Sequence, residues 1–260
     1  MIAAPDPMNA TALMESGIAS IKLDINDDSR RADLQKAIQL NDKLVLAYSW
    51  LSLDTDDAQQ ALDLANTAVG LDPNSCEAHA ALAYALGKCG KFANGASEGT
   101  LAHKLAPDNT LGMTIAALTG AAAKEQLCRT AIRSDPQFLL PYMVLCSILQ
   151  KSSSAQIAFY ATAATQISPH SALAAMTRYY AAMATDRFDD ARLAAESAVL
   201  QRPFSPIFQL SAASADYSCH HFLDAKIHID RVFALEPTLP GAARLRAKID
   251  AAMIAPSRRP

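Results

Sequence analysis

The sequence predicts an all-α chain: a right-handed α-solenoid of about seven stacked helix pairs, closed by a capping helix at the C-terminus. Three observations predict it. Apolar residues make up 51% of the 260 while aromatics supply only 6%, a balance that favours close-packed, Ala-rich helices over sheets. Proline recurs in GLDPN, KLAPD, RSDPQ, QISPH, LQRPF and ALEPT, as Pro73, Pro107, Pro136, Pro169, Pro203 and Pro237, at spacings of 34, 29, 33, 34 and 34. A proline cannot continue a helix and restricts the residue before it, so each one marks a stop. Other positions keep the same step. Ala68, Ala102, Ala131, Ala164, Ala198 and Val232 stand five residues before the prolines. Ala61, Gly95, Ala191 and Ala225 stand twelve before, and Phe92, Phe188 and Phe222 fifteen before.

A period near 34, with a small residue, an aromatic, a second small residue and a closing proline, resembles the tetratricopeptide repeat. The resemblance runs over roughly residues 9–253 and is clearest from Ser75 to Asn109. It implies that each repeat is a helix A, a short turn and a helix B, and that each repeat buries its apolar face only against its neighbours.

The elements follow in order. KAIQLND, with Ala37 and Leu40 in register and Asp42 in the proline slot, ends a first pair at 9–23 and 28–40. The acidic run GIASIKLDINDD lacks the Gly and terminal Glu of a calcium loop and reads as a helix end followed by a capping turn. The second pair falls at 43–53 and 57–70; WLSLDTDDAQQ leaves its helix A short, with Asp56 or Asp57 available as N-cap. The third lies at 75–88 and 91–105. The fourth, at 109–120 and 122–134, follows the short spacing, and LTGAAAKEQL lacks the aromatic of the turn, so its helices are short. The fifth, sixth and seventh pairs take 138–150 and 154–167, 171–184 and 187–201, 205–218 and 221–235. A last helix at 239–253 has a solvated face (Arg244, Lys248, Asp250) that suits a cap for an otherwise exposed apolar surface. Residues 1–8 and 254–260 read as loose ends around one superhelical domain.

The resemblance also implies which side chains line the concave face: helix A positions 2, 5, 9, 12 and 13. In the third repeat these are Glu77, Ala80, Tyr84, Gly87 and Lys88; in the fifth, Leu140, Met143, Ser147, Gln150 and Lys151; in the sixth, Leu173, Met176, Tyr180, Met183 and Ala184; in the seventh, Ile207, Leu210, Ser214, Tyr217 and Ser218. The expected partner-binding set is Tyr84, Lys88, Met143, Ser147, Lys151, Met176, Tyr180, Met183, Leu210 and Tyr217, an adaptable Met- and Tyr-rich surface. The stripe Leu173, Met176, Tyr180, Met183 has the spacing of one helical face and also fits core packing. Arg178 occupies a position that the repeat normally buries; a local rotation of the helix makes the stripe core and exposes Arg178. The family's carboxylate clamp, which holds acidic chaperone tails, is not matched: position 5 holds Ala80, Met143, Met176 and Leu210. Lys88 and Lys151 read as solvated helix ends.

Little else points to chemistry. Residues 217–221 place Cys219 beside His220 and His221, but the repeat phase puts them in an A-to-B turn, and adjacent histidines are poorly placed to close a metal shell. His79 falls where a bulky aromatic is usual and reads as a packed side chain. No GxSxG, HExxH, phosphate-loop or dinucleotide fingerprint is present, so no enzyme activity, cofactor or metal is expected. Five cysteines with no CxxC suggest reduced thiols and a cytoplasmic setting. The N-terminus has neither the basic nor the apolar region of a secretory signal, and no apolar run reaches membrane-spanning length. Residues 1–130 carry 16 acids and 10 bases, net −6, and residues 131–260 carry 10 acids and 13 bases, net +3. Neither half is a strongly basic surface for nucleic acid. The expected function is therefore a bacterial adaptor or scaffold that binds a protein or peptide, with self-association as a further option. The order KAIQLND…AYSWLS…ANTAVGLDPN also resembles repeat regions of bacterial multidomain regulators carrying cyclase or winged-helix domains. The alternative function is then a regulatory or sensor module of a larger protein.

Overall fold

The computed structural model describes residues 7–25, 28–150 and 154–254. Lys151 and the terminal segments 1–6 and 255–260 lie outside them. Among the described residues there are fifteen α-helices and no strand. They are α1 (Pro7–Lys22), α2 (Asp28–Leu40), α3 (Val45–Asp54), α4 (Ala58–Leu71), α5 (Cys76–Lys88), α6 (Phe92–Leu105), α7 (Thr110–Leu118) and α8 (Lys124–Ser134). Then come α9 (Leu140–Leu149), α10 (Ser154–Ile167), α11 (Ala172–Met183), α12 (Phe188–Gln201), α13 (Pro206–Ser218), α14 (Phe222–Leu235) and α15 (Ala242–Ile254). The short second and fourth pairs are present as the sequence predicts: α3 has 10 residues, α7 has 9 and α8 has 11.

The proline stop works the same way in each copy. The residue before Pro73, Pro107, Pro136, Pro203 and Pro237 leaves the helix with φ between −134° and −149°, the extended backbone that a following proline demands. Its N–H still donates to the carbonyl four residues back, on Ala68, Ala102, Ala131, Ala198 and Val232. Those residues, and Ala164, are fully buried. Ser75, Asn109 and Ser171 then open the next helix as N-caps, their side chains accepting from the N–H three residues on. Asp57 does the same for α4.

A second device recurs in the same register. Six residues after the proline, a polar side chain of helix A donates back to the proline carbonyl: His79 Nε2 to Pro73 at 2.9 Å, Tyr142 to Pro136 at 3.0 Å, Gln209 to Pro203 at 2.8 Å. His79 and Gln209 also reach helix B, at Glu98 and His228 (2.6 and 2.7 Å). Several of the A-to-B turns use a left-handed residue. Gly90 supplies it in the third pair, and His220 adopts φ +63° in the seventh.

The chain divides into two compact units, Met1–Leu145 and Cys146–Pro260, with the boundary inside α9. In the first, α1–α2, α3–α4, α5–α6 and α7–α8 pack as pairs, and the A helices also touch one another, α1 on α3, α3 on α5 and α5 on α7. This contact closes the A-helix face on itself. Leu34, Trp50, Leu51, Ala80, Leu111, Ile115 and Phe138 form one buried cluster, with Trp50 and Phe138 edge to face at 5.8 Å. The end of α1 meets the approach to α9: Leu139 N–H donates to Lys22 O at 2.9 Å, and Lys22 Nζ lies 2.7 Å from Asp135 and 5.9 Å from the Trp50 ring centre. Nearby, Arg30 is buried in a paired contact with Asp54 (2.9 and 3.0 Å), and Arg31 adds bonds to Asp54 and Asp56. In the second unit α11–α12 and α13–α14 pack as pairs, α15 packs on α14, and the A-helix contacts are α11 on α13 and α13 on α15.

Candidate functional site

The burial of the helix A positions corrects the expected groove. In the third, fifth and sixth repeats position 5 does not line a surface: Ala80 and Met176 are 0% exposed and Met143 is 8% exposed, and only Leu210 of the seventh is half-buried. This position points into the contacts between neighbouring helices, so Met176 and Met143 are core residues. Arg178 is exposed, which is the rotated arrangement of α11. Lys88 is not a solvated helix end. Its ammonium donates to the Thr55 carbonyl and lies 5.9 Å from the centre of the Tyr84 ring, so Tyr84 and Lys88 satisfy each other inside the first unit. Tyr217 is half-buried, tilted onto Phe222 at 5.8 Å and packed on the Ile229–Ile249 cluster. Met183 and Ser147 are half-buried.

Two of the expected residues, Tyr180 and Leu210, come together. They line a cavity of about 290 Å³ in the second unit, between α11, α13 and α15. Its other walls are Tyr179, Ser211, Ser214, Gly241, Arg244, Leu245 and Lys248. The Tyr179 and Tyr180 rings meet at 5.2 Å and 63°. Burial pushes the Tyr179 phenol above its ordinary range, opposed by hydrogen bonding from Ser214 and Ser211. Burial also pushes Tyr180 up, reinforced by Tyr179 and Cys146. Both therefore remain neutral hydroxyls at physiological pH, able to donate a hydrogen bond.

The rim was not legible as a site. Arg244 and Lys248 sit one turn apart on α15, on one face, and both are exposed. Neither has an ion-pair partner among the described residues. The other charges of α15 are spent: Arg246 pairs with Asp230 at 2.8 Å and covers the Phe233 ring, and Asp250 meets Lys226 at 3.6 Å. The helix read as a cap with a solvated face thus carries two cations into the wall of a cavity. The Arg244/Lys248 spacing was visible in the sequence, but their facing Tyr180 depends on how α15 packs.

A larger cavity, about 720 Å³, lies among α2, α3 and α4, with Gln35, Gln39, Tyr48 and Gln60 on its walls. Its cation, Arg31, is already bound to Asp54 and Asp56. No disulfide is formed among the described residues; Cys76, Cys128 and Cys146 are buried, and Cys219 stands in the turn with Sγ 3.7 Å from Asp189. His220 packs on Phe222 in that turn.

Stacked helix pairs with A-on-A contacts, proline stops and small residues at fixed repeat positions define the tetratricopeptide-repeat fold, and this chain has it. TTC0263, a thermophilic TPR protein in Thermus thermophilus, superposes with a TM-score of 0.56 at 16% identity, over 69% of this chain and 99% of its own. The matched chain of the APC/C hetero-tetramer Cut9-Hcn1 superposes with a TM-score of 0.57 at 14% identity, over 94% of this chain and 48% of its own. No protein-family model and no curated protein matches the sequence. No described helix is long and apolar enough to cross a membrane.

Proposed function

We propose that this chain is a protein-interaction module, an adaptor or scaffold, that holds a segment of a protein partner on the A-helix face of its second unit. One observation carries the reading. The A-helix face of the first unit is filled by its own Trp50, Leu111 and Phe138, whereas the second unit has a cavity in which half-buried Tyr180 and Leu210 stand beside two cations with no ion-pair partner among the described residues. Two leucines and two tyrosine rings beside convergent polar groups combine the apolar and orienting contacts that a binding site uses. Contact through Tyr180 and Leu210 replaces the Met-rich surface expected from the repeat register. Net charge near zero and only two cations at the site favour a protein over nucleic acid. No step of chemistry is assigned to these residues.

The test is site-specific photo-crosslinking in the source cells. A photoreactive residue replaces Leu210 in one variant and Leu200, on the outer face of α12 and 83% exposed, in another. The expected result is a discrete protein adduct from position 210 that position 200 does not give and that Leu245→Glu, on the α15 wall of the same cavity, abolishes while circular dichroism is unchanged. Adducts from position 200 alone would move binding to the outer face and overturn the reading.

A further inference from the structure

We propose that the occupant of the α11–α13–α15 cavity is an acidic peptide segment, one apolar side chain flanked by carboxylates; this deepens the reading above and rests on it. Charge complementarity selects it. Arg244 and Lys248 are the cavity's only charged residues and have no counter-ion among the described residues. Among the described residues no aspartate or glutamate shares the wall with them. A guanidinium and an ammonium one helical turn apart present two donors to two carboxylates, or a fork and a point charge to one. The floor specifies the rest. Leu210 and Leu245 offer aliphatic surface, and Tyr179 and Tyr180 offer ring edges and neutral hydroxyls. The volume, about 290 Å³, suits a single apolar side chain rather than the whole face of a partner helix. Apolar burial then supplies affinity, and the cations set register and orientation.

Residues 255–260 carry Arg258 and Arg259 and no acidic side chain, so their side chains repeat the charge of Arg244 and Lys248 rather than complement it. Arg244 and Lys248 are exposed, so replacing them leaves the packing of α15 through Ala242 and Ile249 intact.

The experiment is fluorescence anisotropy on the full chain with three labelled hexapeptides: Asp-Glu-Ser-Leu-Glu-Asp, the same frame with Lys for every acid, and the acidic frame with Ser-Ser at its centre. The first is expected to bind and the other two to bind at least about tenfold more weakly. Arg244→Glu with Lys248→Glu is expected to lose the first peptide and gain the Lys peptide. Leu210→Ser is expected to weaken the first peptide by about tenfold without changing its salt dependence. Circular dichroism checks each fold. Equal binding of the Ser-Ser peptide, unchanged binding to the charge-reversed variant, or no binding of the first peptide at about 1 mM would each overturn the proposal. So would a dimer, by light scattering, that the charge reversal dissociates, since the occupant would be a second copy. Binding that appears only after residues 255–260 are removed would assign the cavity to the chain's own tail. If charge reversal leaves the adduct at position 210 intact while Leu245→Glu removes it, the interaction-module reading stands and the acidic occupant alone fails.

Discussion

Asp216 and His228 show how single side chains in this fold are held against their preferred charge. Asp216 is 1% exposed, and burial, with Asp224 and Glu196, pushes its carboxyl from 3.8 to about 6 despite Arg192 and His221. His228 donates from Nδ1 to Gln209, and its Nε2 lies 3.7 Å from Asp216. Burial and Arg231 lower its pKa, partly offset by Glu196 and Asp224. The two residues act on stability with opposite sign. Between about pH 4 and 6 the native state holds a proton on Asp216 that the unfolded chain has released, so this group alone makes the protein more stable as pH falls. Below its ordinary value the unfolded His228 is protonated while the native one resists, so this group alone makes the protein less stable as pH falls. Asp216→Asn is therefore expected to raise stability at pH 7, by ~1–3 kcal/mol, and to make it fall on acidification. His228→Gln, which can keep the Gln209 contact, is expected to make stability rise on acidification from about pH 7 toward 4. Urea unfolding of both variants across that range reads the slopes; matching slopes would show that neither group titrates as its surroundings dictate.

At the scale of the element, what matters is how closely two helices approach. Ala61, Ala191 and Ala225 occupy one repeat position and are fully buried; the third pair has Gly95 there. A Cβ on Gly95 would stand 2.8 Å from the backbone carbonyl oxygen of Ala83, which cannot swing aside as a side chain would. Gly95→Ala thus forces α5 and α6 apart. It is expected to cost ~1–3 kcal/mol even though alanine is the better helix former, and thermal unfolding beside the reverse change Ala225→Gly would separate the two effects. A gain in stability at Gly95 would mean that helix propensity outweighs packing there. The same examples show what the sequence discloses. Proline stops, caps and small residues act within one repeat, so their period placed the helix pairs. The register of side chains toward the next repeat is not local. Met176 and Met143 hold a position assigned to the groove, yet neighbouring helices cover them. Arg244 and Lys248 are exposed on α15, the solvated face that the sequence suggested, but that they also border Tyr180 depends on how α15 packs. Tyr180 and Leu210 stand at different repeat positions, 9 and 5, so their meeting at one cavity also depends on how α11 and α13 pack.

For the whole molecule, the two units should respond differently to damage, because their contacts have different reach in sequence. A simple stack couples each repeat only to its neighbours, so a defect spreads one repeat at a time. The second unit is of that kind: Ile249 lies in a cluster drawn from α13, α14 and α15. The first unit is not. Phe138 joins Trp50 and Leu34 in one cluster, and Leu139 and Asp135 grip Lys22, 113 residues from Asp135. That closure had no signal in the period, since it depends on how far successive A helices turn. Two truncations of similar size, Phe138→Ala and Ile249→Ala, should each cost ~3–5 kcal/mol. Their footprints in native-state hydrogen exchange should differ. Ile249→Ala is expected to lower protection in α13–α15 and leave α11 near its wild-type value. Phe138→Ala is expected to lower it in α1 and α3, more than a hundred and more than eighty residues upstream. Loss confined to α7–α9 after Phe138→Ala would mean that the Lys22 contacts contribute little, and that the first unit behaves as a nearest-neighbour stack despite its shared core.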